Sequence, residues 1–257
     1  MLESLLEAAQ PSVQMTLAQD CWGFGGVHGG LSVALLLAAM RGEADGLQLR
    51  QVNAQFHKAL REPFVLSLEQ AQRSRSLTWV SATALQGDQA AVSTSALFSA
   101  AFSVQAAPLA PVMPTVAAAD HCPVFVVPPA FVPFAPHLEI RPADSNRPFA
   151  GGTQAQLCAW VRLVDDDKAP DAARLAILLD ALAPSYAAVL RMPAAMPTVT
   201  FSFTPGAGLA EARSPWVLLL ARTEVQQDGW LLENIDAWSP QGQHLGSAQQ
   251  LRLWLNR

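Results

Sequence analysis

Asp180 stands alone in its surroundings. It is the only acidic residue in Ala172–Arg191, and its neighbours Leu175, Ile177, Leu178, Leu179 and Leu182 are apolar. A carboxylate in such a place is either paired or disfavoured as an anion by desolvation, and the second condition suits a general base. The plainer reading is an aspartate that faces solvent or caps a nearby loop, as most helix aspartates do. Gly29-Gly30 is a second candidate, because it opens an Ala/Leu run of helical propensity. Backbone N–H groups at a helix N-terminus lack internal partners and the dipole there favours negative charge, so this turn could form an oxyanion hole or cradle a pyrophosphate. Glycines also serve tight turns that hold no ligand. His28, immediately before them, reads as structural more readily than catalytic.

Other chemistries find little support. No G-x-S-x-G is present, so a serine nucleophile lacks its elbow. His57, His121, His137 and His244 are scattered, and Asp165-Asp-Asp167 reads as a solvated turn before a helix, so no metal is expected. Cys21, Cys122 and Cys158 are odd in number and form no C-x-x-C, which fits a reducing, cytoplasmic setting. Lys plus Arg number 16 against 21 Asp plus Glu, and Lys58 and Lys168 are the only lysines. Nucleic acid is therefore not an expected partner. The start of the chain is acidic where a signal peptide is basic, and apolar runs such as Val33–Met40 fall far short of the ~20 residues that span a membrane.

The elements that must position these groups come from patterning. With 51% hydrophobic and 14% charged residues in 257, the chain can bury a core of one large or two smaller domains. After the Gly-rich turn Gly23–Gly30 and the helical run Leu31–Met40, four strand-like segments follow: Leu49–Phe56, Phe64–Gln72, Leu77–Leu85 and Ala91–Phe102. Gln86-Gly87-Asp88 turns the last hairpin. Ten of the 19 prolines lie between Pro108 and Pro148, which predicts an extended connector packed along the surface through Val124-Phe-Val-Val and Phe131-Val-Pro-Phe.

The second half repeats the first. A strand over Gln154–Leu163 precedes a helix over Asp171–Ala183, closed by Pro184. Four more strands follow: Thr198–Thr204, Trp216–Val225, Trp230–Trp238 and Leu245–Leu255. Pro240-Gln-Gly242 takes the hairpin place of Gln86-Gly87-Asp88. Pro63-Phe-Val-Leu-Ser-Leu68 matches Pro215-Trp-Val-Leu-Leu-Leu220, and Val52-Asn-Ala-Gln-Phe56 matches Val199-Thr-Phe-Ser-Phe203, at similar offsets. The expectation is an α+β chain with an N-terminal repeat over 1–104, a Pro-rich connector over 105–147 and a C-terminal repeat over 148–257.

A long helix wrapped by an antiparallel sheet, present twice, resembles a double hotdog. Val27-His-Gly-Gly-Leu-Ser-Val-Ala34 resembles the Val-x-Gly-Gly helix entry of the acyl-CoA thioesterase II family. Gln72-Arg-Ser-Arg-Ser-Leu77 is similar to its Leu-Arg-x-Gly-x segment, and Trp160-Val-Arg162 to its Trp-x-Arg strand. The resemblance implies a site in the second half made of an Asp on the helix, a Thr on the next strand and a Gln on the last strand. Asp180, Thr198 and Gln250 stand at those places, Gln250 being preferred to Gln249 on the count from Gly242. The position matching Asp180 in the first half falls near Leu36–Leu37, which implies one site per chain.

The implied activity is hydrolysis of an acyl-CoA thioester, as in fatty acid metabolism, with Asp180 activating water and Thr198 and Gln250 holding it. Gly29, Gly30 and His28 are the candidate oxyanion or coenzyme A contacts. No metal or cofactor is implied beyond the coenzyme A of the substrate. Arg73, Arg75, Arg141 and Arg162 are the cations available for its phosphates. The alternative is a non-catalytic acyl-thioester-binding hotdog protein. A hotdog hydratase ranks last, because Asp180 has no His close in sequence. A homodimer or higher homo-oligomer is open to such a chain, and a membrane is not an expected partner.

Overall fold

The chain is described by a computed structural model over residues 1–44, 46–102, 109–164 and 166–255. Three α-helices occur among them: α1 (Leu2–Ala8), α2 (Gly29–Ala39) and α3 (Ala172–Leu179). The first half contributes strands β1 (Gln14–Met15), β2 (Gln48–Phe56), β3 (Phe64–Leu68), β4 (Gln72–Arg73), β5 (Leu77–Gln86) and β6 (Gln89–Ser99). The second contributes β7 (Leu138–Pro142), β8 (Gln156–Leu163), β9 (Thr198–Pro205), β10 (Val217–Gln227), β11 (Trp230–Trp238) and β12 (His244–Leu253). The expected boundary at 104–105 and Asp165 lie outside the described residues.

Helix α2 is apolar on every side, and such a helix is stable only when surrounded. Leu31, Val33, Leu35 and Leu36 are fully buried, each contributing about 1.5–3 kcal/mol through the water-facing area removed. The helix lies on β3, β5 and β6, while α3 lies on β8 and β11, and the two helices pack against each other. Both halves thus drain into one core.

The described strands form a single sheet in the order β1-β3-β5-β6-β2-β9-β12-β11-β10-β8-β7, with β4 beside β5. Each half has the same local order, and the halves meet where β2 and β9 run antiparallel, Val52 opposite Phe203 and Gln55 opposite Thr200. The turn at Gly87, with φ +59°, links β5 to β6, and Ser239–Gln243 links β11 to β12 at the matching place. Period-2 alternation sends Val52, Ala54, Phe201 and Phe203 inward.

Two expectations are corrected. The helices are not long: α2 has 11 residues and α3 only 8. Helix α3 starts as read, with the Asp171 carboxylate accepting from the Arg174 N–H at 2.8 Å, but it ends at Leu179 instead of Ala183. The Asp180 and Ala181 N–H groups reach back only three residues, to the Ile177 and Leu178 carbonyls, which tightens the last turn and closes the helix before Pro184 is reached. Asp180 is consequently the first residue beyond it.

The Pro-rich stretch is held by side chains. Trp160 Nε1 donates to the Ala117 carbonyl at 2.8 Å and Trp238 Nε1 to the Pro111 carbonyl at 3.0 Å. Its last part adds β7 to the edge of the sheet beside β8. Phe134 is buried and donates its N–H to Trp22, so this stretch also reaches the first half.

Candidate active site

Glycine at the start of α2 lets the two helices touch. A Cβ on Gly30 would stand 2.5 Å from the Ala176 carbonyl oxygen and 2.8 Å from Ile177 Cα, both backbone atoms. A Cβ on Gly29 would stand 2.7 Å from Asp180 Oδ2. The end of α3 therefore abuts the beginning of α2. A carboxylate at the negative end of its own helix is unfavourable, but here it faces the positive end of another. The Gly30 N–H donates to Asp180 Oδ2 at 2.9 Å.

The sheet supplies the remaining partners. Ala248, Gln250 and Arg252 alternate on β12 toward the helices, as Thr198 does at the start of β9. Gln250 Nε2 donates to Asp180 Oδ1 at 3.0 Å, and the Thr198 hydroxyl donates to Gln250 Oε1 at 2.7 Å. Gln250 is fully buried, while Gln249 points to the other face and bonds Asn234. The three residues named from the sequence thus meet in one hydrogen-bonded chain. The Gln250 amide meets the carboxylate directly.

The helix-entry residues are engaged within the protein. The Gly30 N–H is committed to Asp180, so it orients a carboxylate and is not open to an oxyanion. His28 caps α2: its Nδ1 accepts from the Leu31 N–H at 3.3 Å, which leaves Nε2 to donate to the Asp180 carbonyl at 3.1 Å. The ring stacks on Phe134 at 4.4 Å. Burial pushes its pKa below the ordinary value, although Asp180 pulls the other way, and the neutral ring matches both bonds.

Two charged residues escaped the sequence reading. Arg252 Nη1 donates to Thr198 Oγ1 at 2.8 Å, and its Nε donates to Glu233 Oε2 at 2.8 Å. Glu233 Oε1 accepts the Ser185 N–H at 2.5 Å. Both charged residues are buried. The signal that locates them is parity: Glu233 alternates in step with Leu231 and Ile235, and Arg252 with Ala248 and Gln250, all inward.

The cations proposed for phosphates are mostly engaged. Arg73 pairs with Glu43 at 2.9 Å, and Arg141 and Arg162 each reach Glu139 at 2.7 Å. Burial opposes the Glu139 charge, yet the two guanidiniums hold its carboxyl below the usual carboxylate value. The same two lie over the Trp216 ring, at 5.3 and 5.1 Å. Arg75 is exposed. Among the described residues no three His, Cys, Asp or Glu side chains stand together as a metal site, and no helix is long and apolar enough to cross a membrane.

Residues 18–99 match the family model of the acyl-CoA thioesterase N-terminal domain, and residues 111–253 that of the acyl-CoA thioesterase C-terminal domain. No curated protein sequence matches the chain. Among solved structures, a conserved protein of unknown function with a hot dog fold from Alicyclobacillus acidocaldarius superposes with a TM-score of 0.87 at 23% identity, covering 99% of this chain and 98% of that one. The acyl-CoA thioesterase II TesB2 of Mycobacterium marinum gives 0.72 at 17% identity, over 99% and 98%. The tesB protein of Mycobacterium avium subspecies paratuberculosis gives 0.72 at 17%, over 99% and 100%. At these identities the likeness carries the hotdog fold.

Proposed function

The chain belongs to the acyl-CoA thioesterase family, and on that premise we propose that it hydrolyses the thioester of an acyl-CoA to the free acid and coenzyme A. The observation that carries this reading is the seating of Asp180, fixed by the Gly30 N–H on one oxygen and the Gln250 amide on the other. Each carboxylate oxygen keeps a second lone pair, so the group can still accept a proton from water. Asp180 takes that proton as the water oxygen bonds to the carbonyl carbon. The tetrahedral intermediate then expels the thiolate, and Asp180 returns its proton to the sulfur.

We read the two halves as the repeats of a double hotdog, divided as the sequence suggests at 104–105 and 147–148, with one active site whose catalytic side chains come from the second half. The acyl chain would lie in an apolar groove. The scheme needs no metal or cofactor. The cytoplasm is its natural setting, and a homo-oligomer is compatible with it.

A hydratase gains one observation from the fold, since His28 Nε2 stands 3.8 Å from Asp180 Oδ2 despite their separation in sequence. Both ring nitrogens are already bonded and the ring is buried under Phe134, so it has no proton to exchange with a substrate. The binding-protein alternative predicts no turnover at all. Release of free thiol from acyl-CoA esters of short to long chain decides: turnover supports hydrolysis, and a folded protein with no turnover on any ester overturns it in favour of binding.

A further inference from the structure

We infer that Arg252 is a positioning residue for the Asp180 site, acting through Thr198, and that Glu233 is its buried counter-charge. This rests on the reading of Asp180 as the base. The structural fact is a chain of hydrogen bonds with one direction. A guanidinium can only donate, so Thr198 Oγ1 must accept from Arg252 Nη1. The single Thr198 proton then goes to Gln250 Oε1, which turns the Gln250 amide nitrogen toward Asp180 Oδ1. The chain runs from a group that only donates to one that, ionised, only accepts. Every rotor between them has one satisfied orientation.

This ordering moves Thr198 from the water to the second rank. Its proton is already used, so it supports Gln250 and cannot donate to the attacking water. The unassigned residue is the one that fixes both. Arg252 also places Nη2 3.8 Å from Asp180 Oδ1, beyond hydrogen-bond reach. Glu233 holds the guanidinium at Nε and ties it to the turn after α3 through the Ser185 N–H. The Ser185 hydroxyl is fixed in turn on Thr223 at 2.8 Å. The segment that carries Asp180 and the strand that carries Gln250 are thus pinned by one ion pair.

Arg is required for its fork. Lys can neutralise Glu233 but has one ammonium, which cannot serve Glu233 and Thr198 in two fixed directions. The test compares wild type, Arg252→Lys, and the double change Glu233→Gln with Arg252→Met, which leaves no buried charge unpaired. In both variants kcat should fall by about 10- to 100-fold with KM within about twofold, because Arg252 touches no substrate. In a Thr198→Val background the same changes should cost less than about twofold, since the link they act through is already cut. An additive loss in that background, or unchanged kcat in both folded variants, overturns the proposal.

The side-chain amide signal of Gln250, identified by its loss in Gln250→Leu, gives a readout that needs no turnover. It should shift and broaden in both variants. An unmoved signal overturns the positioning role even if the wild type proves inactive. Absence of wild-type turnover with a moved signal overturns only the hydrolase reading.

Discussion

The backbone N–H of Gly30 donates to the Asp180 carboxylate at 2.9 Å, across 150 residues of chain. The start of one half's helix thereby holds the residue that ends the other's. The two repeats are joined through the candidate site as well as through the sheet, and neither half could build it alone.

Replacing Asp180 by Asn keeps shape and removes the base. Thiol release from the best acyl-CoA ester should fall at least about 10²-fold, and the melting temperature should drop modestly because the Asn amide nitrogen must face one of two donors, the Gly30 N–H or the Gln250 amide. Equal rates in the two proteins would take Asp180 out of the mechanism.

Gly30→Ala pushes a methyl group against the Ala176 carbonyl and the Ile177 backbone. Backbone cannot rotate away as a side chain can, so α2 and α3 must separate. A loss of about 1–3 kcal/mol is expected. Thermal unfolding would register it as a lower midpoint, accompanied by reduced activity because the Gly30 N–H moves with the helix. A variant as stable and active as wild type would refute the close crossing.

The two adjacent glutamines should part company. Gln250→Leu strands buried partners on Asp180 and Thr198, a penalty of about 1–3 kcal/mol, and should cut kcat sharply. Gln249→Ala changes the opposite face of the sheet and should leave kcat within twofold. The reverse pattern would mean that the register of β12 is wrong by one.

Protonation of His28 should matter to stability. Burial holds its folded pKa below the ordinary 6.5. The unfolded chain therefore binds a proton that the folded one refuses, and stability is complete above 6.5 and declines as pH falls from there toward the lowered folded value. Melting curves from pH 8 to 5 should show a steeper acid loss in wild type than in His28→Gln. Parallel curves would show that the ring stays unprotonated in both states or charged in both.

Much of the architecture was legible in the residues themselves. Period-2 alternation, the turns at Gly87 and Gly242 and the apolar run after Gly30 are local signals, and the strand over Trp230–Trp238 was read to the residue. An aspartate alone among leucines marks Asp180 as a candidate, and the family resemblance picked it out together with Thr198 and Gln250. The sequence by itself therefore determined the elements, their repetition and the candidates. Only the tertiary structure decided what the candidates do to one another. Asp180 lies past the end of α3, not on it; the Gly30 amide serves the carboxylate; and Glu233 and Arg252, unremarkable charges in the sequence, form the buried pair behind Thr198. These relations depend on a helix crossing and on the register of strands far apart in the chain. Local patterning reports which face a residue takes, whereas hydrogen-bond partners are set by which faces are brought together.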